Sequence, residues 1–196
     1  ILFAATYRGI FKSIDGGKNW VAHNKGIASA YIQDIEVDPK DGNRLYVSTG
    51  FSGFFKSEDG GGSFYEIMGE SEGKNTDTTA LHPMDNNIVY AGAFGSGFLR
   101  SVDQGKKWEP SSNGIVNKSV YYIAVDPKEP KNIFATSCTC GGGIGSIFKS
   151  TDGGKTWSRA DKSIAEDRMV MGITVDPNTP STLYAVQIDH GVWKSA

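Results

Sequence analysis

One eight-residue box recurs along this chain at nearly constant spacing. Residues 13–20, 57–64, 101–108 and 150–157 each read Ser-x-Asp-x-Gly-x-x-Trp or Phe. The fixed positions are Ser13, Asp15, Gly17 and Trp20; Ser57, Asp59, Gly61 and Phe64; Ser101, Asp103, Gly105 and Trp108; and Ser150, Asp152, Gly154 and Trp157. A fifth copy begins at Val192-Trp193-Lys194-Ser195, so successive box serines lie 44, 44, 49 and 45 residues apart. A period in this range means one supersecondary unit repeated, and the fold must be read from the unit.

A second marker keeps register with the first: Val37-Asp38-Pro39, Leu81-His82-Pro83, Val125-Asp126-Pro127 and Val175-Asp176-Pro177. Short apolar and β-branched runs lead into each marker, and proline ends ladder pairing there. Runs such as Leu45-Tyr46-Val47-Ser48-Thr49 follow, then a Gly-bearing loop, then runs such as Gly53-Phe54-Phe55-Lys56-Ser57. These have strand length and strand composition. No segment carries a long 3.6-residue apolar period, so almost no helix is expected. Four strands in about 44 residues describe a β-propeller blade. The strands are called A to D from the inside outward, with A ending at the Asp-Pro marker and the box in the C–D turn. The expected fold is all-β, one propeller domain or propeller fragment. Its parts are a part-blade over 1–24, blades near 31–68, 76–112 and 119–160, and a part-blade over 169–196.

The box has its own local chemistry. A carboxylate two residues after a serine can accept N–H groups of its own turn, glycine tolerates positive φ, and the aromatic can cover the hairpin. Asp15, Asp59, Asp103 and Asp152 are therefore expected to build turns, not to catalyse.

Composition narrows the function classes. The net charge is −2 with mixed signs, so no basic stripe points to nucleic acid. No apolar run has spanning length, so no membrane insertion is expected. Cys138 and Cys140 are one residue apart, poorly placed to bridge each other. With His23, His82 and His190 scattered, neither a metal site nor a cofactor is expected. Asn117-Lys118-Ser119 matches a glycosylation triplet. The chain opens on Ile1 without the layout of a signal peptide, as a processed, trimmed or partial product does.

The box Ser-x-Asp-x-Gly-x-x-Trp resembles the Asp-box, or BNR repeat. The longer text from Val125-Asp126-Pro127 through Ile147-Phe148-Lys149-Ser150 to Trp157 resembles blades of xyloglucan-type glycoside hydrolases, photosystem II stability/assembly-factor-like proteins and sortilin-type ectodomains. The resemblance covers the whole chain and implies fold more than function, because the box is scaffold. Phe64 and Gln104 depart from the usual Trp and Gly. Sialidases also carry Asp-boxes, but this chain lacks their arginine cluster and Arg-Ile-Pro-like motif. The ends supply strands B, C, D and strands A, B, C, which leaves two closures open. One is a five-bladed ring with two three-stranded blades. The other is an arc of a larger ring, as the resembled families have, with open blade edges available for association.

Topology places the D–A and B–C connections on one face and the A–B turns and boxes on the other. Ligands of propellers usually sit on the former, by analogy of fold. The B–C loops there carry Tyr7, Arg8, Phe51, Phe94, Asp189 and His190, plus an insertion between Ser137 and Gly145. A loop aromatic can stack on a sugar or anchor a partner. Asp34 and Asp77 precede inner strands in adjacent blades. They are candidates for a catalytic acid pair, which needs a separation of about 5 to 9.5 Å. The leading expectation is a non-catalytic, extracytoplasmic recognition or assembly module that binds a protein or glycan on the B–C face. The alternative is a xyloglucanase-like glycoside hydrolase or a fragment of one.

Overall fold

The structure is a computed structural model and describes residues 1–27, 31–68, 75–139, 145–162, 164 and 168–195. Strands occupy five antiparallel sheets in chain order, and no helix occurs among the described residues. The first sheet holds β1 (Leu2–Thr6), β2 (Gly9–Ser13) and β3 (Val21–Ala22). The second holds β4 (Ile32–Val37), β5 (Leu45–Thr49), β6 (Gly53–Ser57) and β7 (Tyr65–Met68). The third holds β8 (Thr76–Leu81), β9 (Val89–Ala93), β10 (Gly97–Ser101) and β11 (Glu109–Pro110). The fourth holds β12 (Val120–Val125), β13 (Ile133–Cys138), β14 (Gly145–Ser150) and β15 (Ser158–Arg159). The fifth holds β16 (Val170–Val175), β17 (Leu183–Gln187) and β18 (Gly191–Lys194). Each sheet is an up-and-down meander, so the all-β propeller architecture expected from the repeat is present.

The inner strands follow one another in order: β1 beside β4, β4 beside β8, β8 beside β12, and β12 beside β16. No comparable contact joins β16 back to β1 among the described residues. The sheets thus form an arc of a propeller.

The core lies between blades, not within them. Ile10 of β2 packs with Val47, Phe55 and Phe64 of the next blade. Phe54 of β6 packs with Ala91, Leu99 and Trp108. Phe98 of β10 packs with Ala135, Phe148 and Trp157. The box aromatic of one blade therefore closes the seam with the blade before it. Trp157 meets Phe98 edge-on at 4.6 Å between centroids, and Trp108 meets Phe54 likewise at 5.3 Å. Such pairs add to simple area burial.

Polar latches run along the same seams. Lys12 Nζ donates to the Gly60 carbonyl at 2.7 Å, and Ser111 Oγ donates to the Gly154 carbonyl at 2.7 Å. The Trp157 indole N–H, besides reaching its own Gly154 carbonyl at 3.1 Å, donates to Ser111 of the preceding blade at 2.7 Å.

Each box closes on its own serine and aspartate. Ser13 Oγ donates to Asp15 Oδ1 and accepts from the Gly17 N–H; Asp15 Oδ1 also accepts from the Asn19 N–H. The same three bonds recur around Ser57, Ser101 and Ser150. The Asn19 backbone and side-chain bonds, then the Ser13 hydroxyl, pull the Asp15 carboxyl down to about 2. The Ser63 and Thr156 hydroxyls lead the corresponding lowering of Asp59 and Asp152, and the Lys107 N–H that of Asp103. Gln104 takes φ +64°, matching Gly60 at +70° and Gly153 at +76°, so the turn imposes a left-handed backbone even where glycine is missing.

The Asp-Pro markers end the inner strands by a similar device. Asp126 Oδ1 accepts the N–H groups of Lys128 and Glu129, and Asp176 Oδ1 those of Asn178 and Thr179. In the blade where His82 replaces aspartate, its Nδ1 accepts from Met84 and Asp85.

Candidate functional site

Every four-stranded blade and the fifth sheet share an irregularity absent from the sequence reading. The inner strand shifts register once, between Ile32 and Asp34, Thr76 and Thr78, Val120 and Tyr122, and Val170 and Gly172. Gln33, Asp77, Tyr121 and Met171 are the extra residues at these bulges. A bulge re-aims side chains and commonly borders a site. Here it repeats around the axis at the D–A end of the inner strands. Gln33 reaches the neighbouring blade, its Nε2 donating to Asp77 Oδ1 at 3.4 Å.

The B–C loops share this face. In four blades the loop N–H is tied to the residue entering the inner strand: Gly50 to the Tyr31 carbonyl, Phe94 to Asn75, Cys138 to Ser119 and Ile188 to Met169. Tyr7, in the two-residue turn between β1 and β2, lies flat on Tyr31, with centroids 4.5 Å and planes 8° apart. Phe51 tilts against Tyr31 at 53°, with centroids 5.5 Å apart. Tyr7 and Phe51 are each 70% exposed. Three rings from two blades thus form one exposed ridge. Tyr31 was not among the sequence candidates, because it sits in a D–A connection whose repeat equivalents are Asn75, Ser119 and Met169. Its glycine neighbour was the available signal. A Cβ on Gly50 would lie 2.4 Å from the Tyr31 ring, so that ring needs glycine there.

The structure does not bring the other loop candidates into the ridge. Phe94 occupies the place of Gly50, one residue ahead of Phe51, and faces Asn75 instead of a ring; it bridges to Ser119. Arg8 is exposed, its N–H bonded to Thr6 Oγ1 at 3.0 Å. Asp189 takes φ +63° and pairs with Arg168 at 3.0 Å. His190 lies 6.5 Å from the Trp193 ring in the fifth sheet. Cys138 is buried and not in a disulfide. Cys140 and most of the insertion after it lie outside the described residues.

Asp34 and Asp77, the candidate acid pair, occupy different positions of the repeat. Asp77 matches Gln33, and Asp34 matches Thr78. Asp34 is hydrogen-bonded on both oxygens: Oδ1 accepts from the Ile35 N–H, and Oδ2 from the Thr79 N–H and the Thr78 hydroxyl. It stitches β4 to β8. Burial raises its pKa, and those three donors oppose the rise. Asp77 Oδ1 accepts from Gln33, and its Oδ2 is buried without a hydrogen-bond partner among the described residues. Burial pushes its carboxyl up to about 6. Glu36, two residues beyond Asp34, is pushed to about 7 by burial and then by the Asp34 charge. Tyr122 of the fourth sheet is raised by burial, then by the nearby Asp77 and Asp34 carboxylates and Tyr7. Residues of four sheets therefore share one electrostatic environment around the axis. Among the described residues no three His, Cys, Asp or Glu side chains converge as a metal would require.

A second opening lies at the other end of the inner strands. It has a volume of about 510 Å³ and is lined by Glu36, Val37, Leu81, Val125, Val175 and the marker prolines. Its wall is mainly apolar and lacks a ring ridge.

Residues 148–159 match the BNR/Asp-box repeat family model. No curated protein matches the chain. Among solved structures, the chain is similar to the Niastella koreensis GH74 enzyme, with TM-score 0.78 and 19% identity over 98% of this chain and 34% of that one. It is similar to the Xanthomonas campestris GH74 xyloglucanase, with TM-score 0.75 and 18% identity over 99% of this chain and 34% of that one. It is also similar to YCF48 bound to D1 peptide, with TM-score 0.66 and 14% identity over 95% of this chain and 56% of that one. The chain spans about a third of the length of these two GH74 proteins. At such identities the likeness is one of fold. The chain carries the BNR/Asp-box repeat on the fold of an Asp-box β-propeller.

Proposed function

We propose that this chain is a non-catalytic recognition module that holds a protein segment or glycan on the B–C face. The supporting observation is the ridge of Tyr7, Tyr31 and Phe51. Exposed, stacked rings offer a flat apolar surface at low cost in side-chain entropy, which suits a sugar face or an inserted side chain. Asp77, Gln33 and Tyr122 supply hydrogen-bonding groups beside it. The likeness to YCF48 bound to a peptide supports a polypeptide ligand, and the likeness to a xyloglucanase supports a glycan. A place outside the cytoplasm belongs to the same proposal and rests on the likeness to GH74 propellers.

The test is binding of the chain to immobilised oligosaccharide and peptide panels, with a variant in which Tyr7, Tyr31 and Phe51 are all alanine. Loss of at least tenfold in affinity, with an unchanged denaturation midpoint, is expected. Equal binding by the variant overturns the assignment.

A second reading, glycoside hydrolysis, is favoured by one observation. Asp77 combines a raised pKa with an unpartnered buried oxygen, as a general acid does. Release of reducing ends from a polysaccharide, abolished by Asp77→Asn, would establish it over the binding reading.

A further inference from the structure

Asp77 differs from the other groups around the axis in having its hydrogen bonding left incomplete. The bulge residues Gln33, Asp77, Tyr121 and Met171 share one position of the repeat, and Asp77 is the charged one. Its Oδ1 accepts from the Gln33 amide at 3.4 Å, which is long for a donor to a carboxylate. Its Oδ2 is buried with no hydrogen-bond partner among the described residues. An unmatched buried acceptor is costly. Asp34 shows the satisfied alternative, since it accepts three donors. Burial pushes the Asp77 carboxyl up to about 6, so it is ionised at about pH 7.5 at a cost that an adjacent cation offsets.

The aromatic ridge borders this carboxylate. A Cβ on Gly50 would lie 2.4 Å from the Tyr31 ring and 3.4 Å from the Gln33 amide nitrogen, so the amide that touches Asp77 also flanks the ridge. The Tyr31 hydroxyl is raised by its hydrogen bond with Tyr7, then by burial and by the Tyr7 and Asp77 charges. Gln33 is exposed and neutral, so its one long bond yields to a charged donor. Exposed rings beside such a carboxylate are suited to a cation, because ring faces attract positive charge. A lysine ammonium meets a carboxylate as a point charge. A guanidinium matches both oxygens with a planar fork and also stacks on a ring. Arg8, on the turn with Tyr7, opposes a cation there, but it is exposed and its repulsion is screened.

We propose that Asp77 and the aromatic ridge together bind an arginine side chain of a polypeptide ligand. The guanidinium displaces the Gln33 amide and forks onto Asp77, supplying the donor that Oδ2 lacks. The apolar stem and neighbouring residues of the ligand lie on the Tyr7, Tyr31 and Phe51 rings. Glycans carry no guanidinium, so the ligand is a protein segment. This inference rests on the recognition reading and names the chemistry of its ligand.

The test selects a phage-displayed library of random short peptides on the immobilised chain at about pH 7.5, then measures the selected peptides by fluorescence anisotropy. Enrichment in arginine is expected. Lysine in place of that arginine should weaken binding severalfold, and Asp77→Asn in the protein should weaken it by about tenfold or more. Asp77→Asn keeps the side-chain shape and removes a buried charge, so its denaturation midpoint, measured alongside, should not fall. Gln33→Ala, which uncovers the carboxylate, should leave affinity equal or higher. Selected peptides without arginine, equal binding of the lysine form, or indifference to Asp77→Asn overturns the inference. If such peptides still lose affinity when the three ridge residues are alanine, the recognition reading stands without it. Selection of no peptide also overturns it, and oligosaccharide binding then shows whether the recognition reading survives.

Discussion

The indole N–H of Trp157 donates to the carbonyl of Ser111 at 2.7 Å, across the seam between two blades. The box that carries Trp157 is thus both a turn within its own blade and a bolt into the preceding one. Trp20, in the first box, reaches only its own Gly17 carbonyl at 3.0 Å and is 41% exposed, against 7% for Trp157.

This asymmetry gives the first prediction. Trp157→Ala removes a buried ring and leaves the Ser111 carbonyl unmatched, and should destabilise the chain by about 3–5 kcal/mol. Trp20→Ala should cost less than about 1 kcal/mol. Urea denaturation of both variants checks the contrast; equal losses would contradict the seam role.

Gln104 supplies a prediction of opposite sign. Its φ of +64° is a conformation that glycine adopts freely, and the other three boxes have glycine there. Gln104→Gly should stabilise by up to about 1 kcal/mol. The lost bond from its amide to Asn87 Oδ1, which is exposed, offsets little of this. A thermal melt checks the sign.

The pH dependence follows from two groups shifted in opposite directions. Asp15 is lowered from 3.8 to about 2 in the fold, so its contribution is present above pH 4 and fades as pH falls toward 2. Glu36 is raised from 4.5 to about 7, so the folded state binds its proton more tightly than the unfolded chain does. With respect to Glu36, stability is therefore full below about pH 4.5, declines as pH rises through 7 and levels off above it. Glu36→Gln should flatten that decline and raise stability at pH 8 by up to about 3 kcal/mol. Denaturation midpoints from pH 4 to pH 8 read it directly.

Gly50 controls the ridge. A methyl group there would sit 2.4 Å from the Tyr31 ring and displace it from its contacts with Tyr7 and Phe51. Gly50 does not need a left-handed backbone, so Gly50→Ala should leave the melting temperature within about 5 °C. The near-ultraviolet circular dichroism of the stacked tyrosines should fall, and ligand affinity with it. An unchanged tyrosine signal would show that the ring stays in place.

The blade was legible in sequence because its signals are local. The strand runs around Leu45, Gly53 and Ile133, the stops at Asp38 and Asp126, and the turn at each box depend on residues within eight positions of one another. The box bonds from Asp15 and Ser13 are local as well. Tyr7 and Phe51 could be singled out from their loops, but Tyr31, which holds them together, could not. It breaks the repeat, and its stacking partner Tyr7 lies 24 positions earlier in another blade. The inner-strand bulges were equally hidden, since an extra residue in a ladder shows only against its partner strand. That shift separates Asp77 from Asp34 in role. One carboxylate is consumed by Ile35, Thr78 and Thr79, and the other is left with an unmatched oxygen.

The sequence alone determined the repeating unit, its strands and the turns at the boxes and Asp-Pro markers, because short-range hydrogen bonding and backbone preference act within the unit. Only the tertiary structure decided what the box aromatics do, because their partners are in the preceding blade. It also decided which rings meet on the B–C face, because these are relations between blades about 44 residues apart, where packing across the seam decides rather than local propensity.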